Sequence, residues 1–325
     1  MGTTVMTVTG PISSDELGVT LMHEHFAFGY PGWYADDSLA PYDRQAVETV
    51  CLKVLEGLKE AGIRTVVDAT PVDVGGRDPF LLKSLSEKSG IYIIALTGIY
   101  TECGGGPGYF KWLAEMGGRN TEEDLCELYT RELTIGIGKS GVRAGLLKIA
   151  TSDPVITEYE KTAIRAAVRV SKELGVSMTT HVEGPTVGPA QQDLLLELGA
   201  DPLGIIIGHQ NNSDDLDYHL SQLQKPGFYL GFDRTANIPM EPPGSEENII
   251  TLIKQGYADR LILSHDSITV WLGRPWKRPV TWADWTPLYL HTKLIPKMKA
   301  AGVTDEQIKT IFVDNPRRFF ERAQR

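Results

Sequence analysis

His23 and His25 stand one residue apart at the end of an apolar run, VTLMHEH, and the two-residue period of a strand puts both imidazoles on one face. Two imidazoles aimed at one point suit a divalent metal. Other apolar runs end in the same way, with His181 in SMTTHV, His209 in GIIIGH and Asp266 in LILSHD. One strand-end histidine reads as a satisfied core residue; four with an acidic partner read as a metal site. Lys148 interrupts GLLKI, where an apolar residue belongs. Burial disfavours its ammonium form and leaves a neutral amine. That amine either forms a buried ion pair with Asp266 or adds carbon dioxide and becomes a carbamate able to bridge two metals. Charge favours the carbamate: two divalent ions are nearly balanced by carbamate, hydroxide and Asp266, whereas a protonated lysine adds to the repulsion.

These residues need a scaffold that brings separate strand ends together. Eight apolar runs read as strands, at 19–25, 64–70, 91–97, 143–149, 176–182, 203–209, 228–233 and 260–266. Most are continuously apolar, the pattern of parallel strands buried on both faces. Segments with apolar spacing of three and four alternate with them, at 44–61, 79–89, 121–138, 158–174, 187–199 and 246–257. Eight strand–helix units predict an α/β fold, a (β/α)8 TIM barrel with its site at the carboxyl ends of the strands, over a doubly wound open sheet. No shift in composition divides the chain, so residues 1–325 are expected to form a single domain. A long loop at 267–290, carrying four of the six tryptophans, is expected over the active-site face, with Trp271 and Trp276 as candidate pocket walls. The glycines at 104–106 suggest a mobile loop at the same rim. His265 should face away from Asp266, and His219 and His291 are expected at the surface.

Hydrophobic residues at 42% and charged residues at 23% describe an ordinary globular chain, and a net charge of -10 with no basic run argues against nucleic acid. Cys51, Cys103 and Cys126 are odd in number and unpaired in spacing, which points to a reducing cytoplasm. No stretch has the length of a membrane span. The G-x-G-x-x-G string at Gly136–Gly141 follows a helix and precedes a strand, the reverse of a dinucleotide site.

In type and order the ligand set resembles the phosphotriesterase family of the amidohydrolase superfamily, as do the segments GPISSDELGVTLMHEH, GLLKIATS, TTHVEG, IIIGH and LILSHDS. The resemblance runs through most of the chain. It implies two divalent metals (zinc, with iron, manganese or cobalt as alternatives) held by His23, His25, Lys148, His181, His209 and Asp266, with carboxylated Lys148 and a hydroxide as bridges. Tyr100 in TGIY and Arg234 in GFDR resemble the phosphotriesterase-like lactonases, whereas true phosphotriesterases carry a histidine at the second position and an aspartate where this chain has Asn212. FGYPGW and SHDSITVWLGRPW resemble the branch acting on aliphatic γ- and δ-lactones; His181-Val182-Glu183 and Gln210-Asn211-Asn212 depart from it. The implied activity is hydrolysis of lactones, acyl-homoserine lactones among them, by the bridging hydroxide, with side activity on phosphotriesters. Asp266 would take the hydroxide proton, Tyr100 would sit at the reacting group, and Arg234 would shape the pocket. A homodimer is also implied. The competing readings are a hydrolase acting mainly on organophosphates or aryl esters, and a non-catalytic metal-binding barrel.

Overall fold

The computed structural model describes residues 2–104, 106, 108–236, 241–242, 244–275 and 283–322. A short antiparallel hairpin, β1 (Thr4–Thr7) and β2 (Gly10–Ser13), precedes the main sheet. Eight parallel strands follow: β3 (Thr20–Phe28), β4 (Thr65–Asp68), β5 (Tyr92–Gly98), β6 (Leu146–Thr151), β7 (Met178–Val182), β8 (Ile205–Ile207), β9 (Tyr229–Phe232) and β10 (Leu261–Leu263). They lie side by side in chain order, and a further strand, β11 (Ser267–Trp271), runs parallel to β3 at the opposite edge. All eight predicted runs are strands of this sheet. β11 falls inside the segment expected to be irregular, and the hairpin was not anticipated.

The sheet curls on itself. Met22 of β3, Val67 of β4, Ile94 of β5, Leu146 of β6, Ile206 of β8, Tyr229 of β9 and Ile262 of β10 share one buried cluster, so strands from both ends of the order meet on one concave face. The opposite face packs on helices in a larger cluster that includes Leu21, Leu147, Ile205, Leu230 and Leu263. Period-two alternation sorts each strand between these two cores. At the seam, the Asp266 amide donates to the His23 carbonyl and the His23 amide to Ser264 Oγ, both at 3.0 Å.

The helices start where their sequences allow a cap. Asp43 accepts from the first amides of α1 (Arg44–Glu60), Asp78 from those of α2 (Pro79–Ser89), and Asn120 from those of α4 (Thr121–Thr134). Thr157 and Glu160 form a capping box on α5 (Glu158–Leu174), which buries Ala163, Ile164, Ala167, Val168 and Ser171 against the sheet and stops at left-handed Gly175. α6 (Gly188–Glu197) falls on a predicted segment, whereas several described helices lie outside them, among them α3 (Gly108–Gly117), α7 (Leu216–Leu223) and the helical turns from Ile295 to Glu321. Among the described residues no helix is long and apolar enough to cross a membrane.

Candidate metal centre

The carboxyl ends of the strands carry the site. On β6, Lys148 alternates inward with Leu146, and on β7 His181 alternates inward with Thr179. β3 needs an irregularity to do the same. Its pairing with β4 shifts register between Leu21 and Glu24, so Met22 and His23 both face inward; His25 follows on the same side and Glu24 points outward. His209 and Asp266 lie just beyond β8 and β10 and reach the centre through left-handed backbones, φ 57° and 51°. Few non-glycine residues adopt that conformation, and where they do it often marks a functional site. Gly98 and Gly208 let neighbouring backbones close in, since a Cβ on either would come within 2.0 Å of the Lys148 carbonyl oxygen or 2.1 Å of that of Thr180.

His23, His25, Lys148, His181 and His209 are all buried, and Asp266 is nearly so. Ligand atoms of His23, His209 and Asp266 lie within 4.8 Å of one another. Asp266 Oδ1 sits 3.0 Å from His25 Nε2 and 3.4 Å from His23 Nε2, and Lys148 Nζ sits 3.2 Å from His23 Nε2 while donating to the Ala69 carbonyl at 3.0 Å. All six residues named from the sequence therefore meet at one place.

The outer nitrogens show what the cluster is made to hold. Asp233 accepts from Nδ1 of both His23 (3.1 Å) and His209 (2.7 Å), and Glu183 accepts from His181 Nε2 at 2.6 Å. Each of these N–H groups is committed outward, so His23 Nε2, His209 Nε2 and His181 Nδ1 turn lone pairs inward. The inner nitrogens of His209 and His181 lie 2.7 Å apart and so converge on one point. Burial lowers the pKa of His181 to about 4 and holds that of His209 well below its ordinary value, so both rings are neutral near pH 7. Converging neutral lone pairs with a carboxylate alongside are the donor set of a borderline-soft divalent cation.

Burial lowers the pKa of Lys148 to about 8, partly opposed by Asp266 and Asp233. Burial also opposes ionisation of Asp266, but His209, His25, His23 and Arg234 outweigh it and hold its carboxyl well below the usual range. Arg234 is buried, with Nε on Asp266 Oδ2 at 3.0 Å and Nη1 on Asn212 Oδ1 at 3.2 Å. Tyr100 lies edge-on to His181, ring centroids 4.8 Å apart, and its amide donates to the Asp73 carboxylate. A cavity of ≈ 130 Å³ opens above these groups, walled by Phe28, Tyr30, Tyr100, Ile268, Trp271 and Trp285 on its apolar side and by Glu183 and Arg234 on its polar side.

Trp271 thus takes the place expected of it, whereas Trp276 falls outside the described residues. His265 faces away from the cluster, as expected. His219 does not lie at the surface: it is fully buried in α7 and bonded through Nε2 to the Gln210 carbonyl at 3.0 Å. The polar look of its segment misled, because the helix turns His219 inward together with Gln222 and Leu223. The sequence reading missed Asp233, Glu183 and Glu24. Asp233 carried a usable signal, an acid in GFD at the last position of the seventh strand run, facing inward by alternation with Tyr229 and Gly231.

Residues 3–320 match the model of the phosphotriesterase family. The chain belongs to that family, whose members are hydrolases. Among phosphotriesterase relatives, a phosphotriesterase homology protein from Mycobacterium tuberculosis is 34% identical over 97% of both chains. An aryldialkylphosphatase from Saccharolobus solfataricus is 31% identical over 95% of this chain and 96% of its own length. A solved structure of an organophosphorus hydrolase from Deinococcus radiodurans superposes with a TM-score of 0.93 at 41% identity, covering 98% of this chain and 97% of that one.

Proposed function

We propose that this chain is a binuclear metal-dependent lactonase with a lesser phosphotriesterase activity, its metals held by His23, His25, Lys148, His181, His209 and Asp266. Two divalent ions in this cluster would acidify a water molecule and polarise a carbonyl, which is the chemistry a lactone or a phosphotriester needs. Carboxylation of Lys148, whose amine gains carbon dioxide and loses a proton, would give the pair a bridging anion. The nine-stranded arrangement is then read as a (β/α)8 barrel sealed at the β3–β10 seam, one domain per chain and two chains per particle.

The observation that carries the lactonase reading is the Arg234–Asp266 contact. Arg234 occupies Oδ2 and leaves Oδ1 facing the cluster, so the ionised carboxylate can accept a proton from the attacking water at Oδ1. Arg234 itself stays charged and moves no proton. Burial raises the pKa of Tyr100, so its phenol stays a neutral donor over the cavity, placed to bond the ring oxygen or the carbonyl of a lactone. The aromatic wall of Phe28, Tyr30 and Trp271 suits an aliphatic ring or chain.

The names aryldialkylphosphatase and organophosphorus hydrolase, borne by two of the relatives, support the second reading, a hydrolase acting mainly on organophosphates or aryl esters. The metal-loaded protein should be assayed on γ- and δ-lactones, an acyl-homoserine lactone and a nitrophenyl dialkyl phosphate. The highest kcat/KM is expected on the lactones; a dominant phosphotriester rate would overturn that ranking. A metal-loaded chain that turned over none of them would be the non-catalytic barrel.

A further inference from the structure

We propose that Glu24, the residue between His23 and His25, is a positioning residue that holds Asp266 in its left-handed conformation and ties it to the Trp285 wall of the cavity. The inference rests on the reading of the cluster as a metal centre.

Glu24 is buried and faces away from the cluster, toward the seam. Its Oε1 accepts from Ser264 Oγ (2.9 Å), the His265 amide (3.0 Å) and His265 Nδ1 (2.6 Å). Its Oε2 accepts from the Ser267 amide (3.0 Å) and Ser267 Oγ (2.6 Å). The amide between these two, that of Asp266, goes to the His23 carbonyl at 3.0 Å. Three successive amides, 265 to 267, are thus held from β3, and two of the three acceptors are oxygens of one side chain.

β10 ends at Leu263, and β11 joins β3 only from Ser267 onward. Across that gap, where the chain bends at φ 51° to turn Asp266 inward, the Glu24 carboxylate replaces the missing ladder. A buried carboxylate with five donors is a fixed template, because every alternative backbone path leaves donors and charge unpaired. The same template reaches the pocket wall. His265 Nδ1 donates to Glu24, its Nε2 accepts from the Leu290 amide (3.1 Å), and its carbonyl accepts from Trp285 Nε1 (2.8 Å). The wall and the ligand are therefore set by one network.

The test compares the full-length wild-type chain with Glu24→Gln and with His265→Asn, each loaded with Co2+ and titrated with a chelator, with circular dichroism to confirm folding. Glutamine keeps one acceptor and turns an NH2 toward donors at the other. Glu24→Gln is expected to release Co2+ about 10- to 100-fold more readily, to change the visible Co2+ absorption that reports ligand geometry, and to lower kcat for a lactone more than it raises KM. His265→Asn should show the same changes, smaller. A folded Glu24→Gln chain with wild-type Co2+ absorption and chelator profile, and only a lower melting temperature, would overturn the proposal. Should Glu24→Gln not fold, His265→Asn decides by the same two readouts. A wild-type chain that bound no Co2+ would overturn the metal reading and the clamp together. One that bound Co2+ but opened no lactone would refute only the proposed substrate, and the absorption and chelator profiles would still decide the clamp.

Discussion

Asp233 determines what His23 and His209 can do, because one carboxylate takes the outer N–H of both rings. Replacing it with asparagine keeps the shape but offers a donor where one ring needs an acceptor, so that ring must flip its tautomer or lose its partner. Asp233→Asn should therefore weaken metal binding about 10- to 100-fold, read by chelator competition, with the fold unchanged by circular dichroism. Unchanged affinity would mean that the rings are oriented by packing alone. Lys148 makes a prediction about pH. Its folded pKa is depressed to about 8, so the neutral amine dominates above that value and the ammonium below it. Only the neutral amine adds carbon dioxide. In metal-free protein with 13C-bicarbonate, a carbamate signal is expected to grow as pH rises through about 8, and to be missing from Lys148→Met. A pH-independent signal would rule out Lys148 as its source.

The elements explain which parts of this site were legible before the structure. The eight sheet strands announced themselves because strands buried on both faces admit little but apolar residues, so His23, Lys148, His181 and Asp266 stood out against them. The bulge in β3 was not legible: H-x-H gives the right common face for its two histidines, but not that Met22 shares it. β11 hid in a loop-like composition, since its Ser-Ile-Thr-Val-Trp run lies among prolines and tryptophans. Glu183 contacts His181 and Glu24 grips the backbone on either side of Asp266, which only distances reveal, whereas Asp233 could be suspected from its place at the end of a strand run. A different element bond, equally invisible in the sequence, should govern stability. Arg77, in the segment between β4 and α2, makes a bidentate pair with Glu132 of α4 at 2.6 and 2.7 Å, both side chains nearly buried, and donates to the Leu96 carbonyl. Arg77→Met would strand a buried carboxylate and should cost about 3–5 kcal/mol, measured by urea unfolding. Arg77→Met with Glu132→Leu should recover most of it. Additive losses in the double variant would show that the two residues do not act as a pair.

At the scale of the whole molecule, the proposed ligands come from β3, β6 and β7 and from just beyond β8 and β10, so an ion held among them would fasten the first sheet strand to the last. His209 Nε2 and His181 Nδ1 lie 2.7 Å apart and Asp266 reaches the same point through a left-handed backbone, so one ion there would be shared by residues from well-separated strands. Metal binding and global stability should therefore be one property. An ion present at about 1,000 times its dissociation constant adds roughly 4 kcal/mol to folding, because it binds the folded chain and has no assembled site in the unfolded one. Dialysis against a chelator should lower the melting temperature by several degrees, and Zn2+ or Co2+ should restore it. Asp233→Asn should start lower and recover less, since its rings no longer present both lone pairs. A melting temperature unmoved by chelation, with elemental analysis showing that the metal had left, would separate the centre from the fold. The seam would then be held by its protein bonds, those of His23 and Glu24 and the β3–β11 pairing.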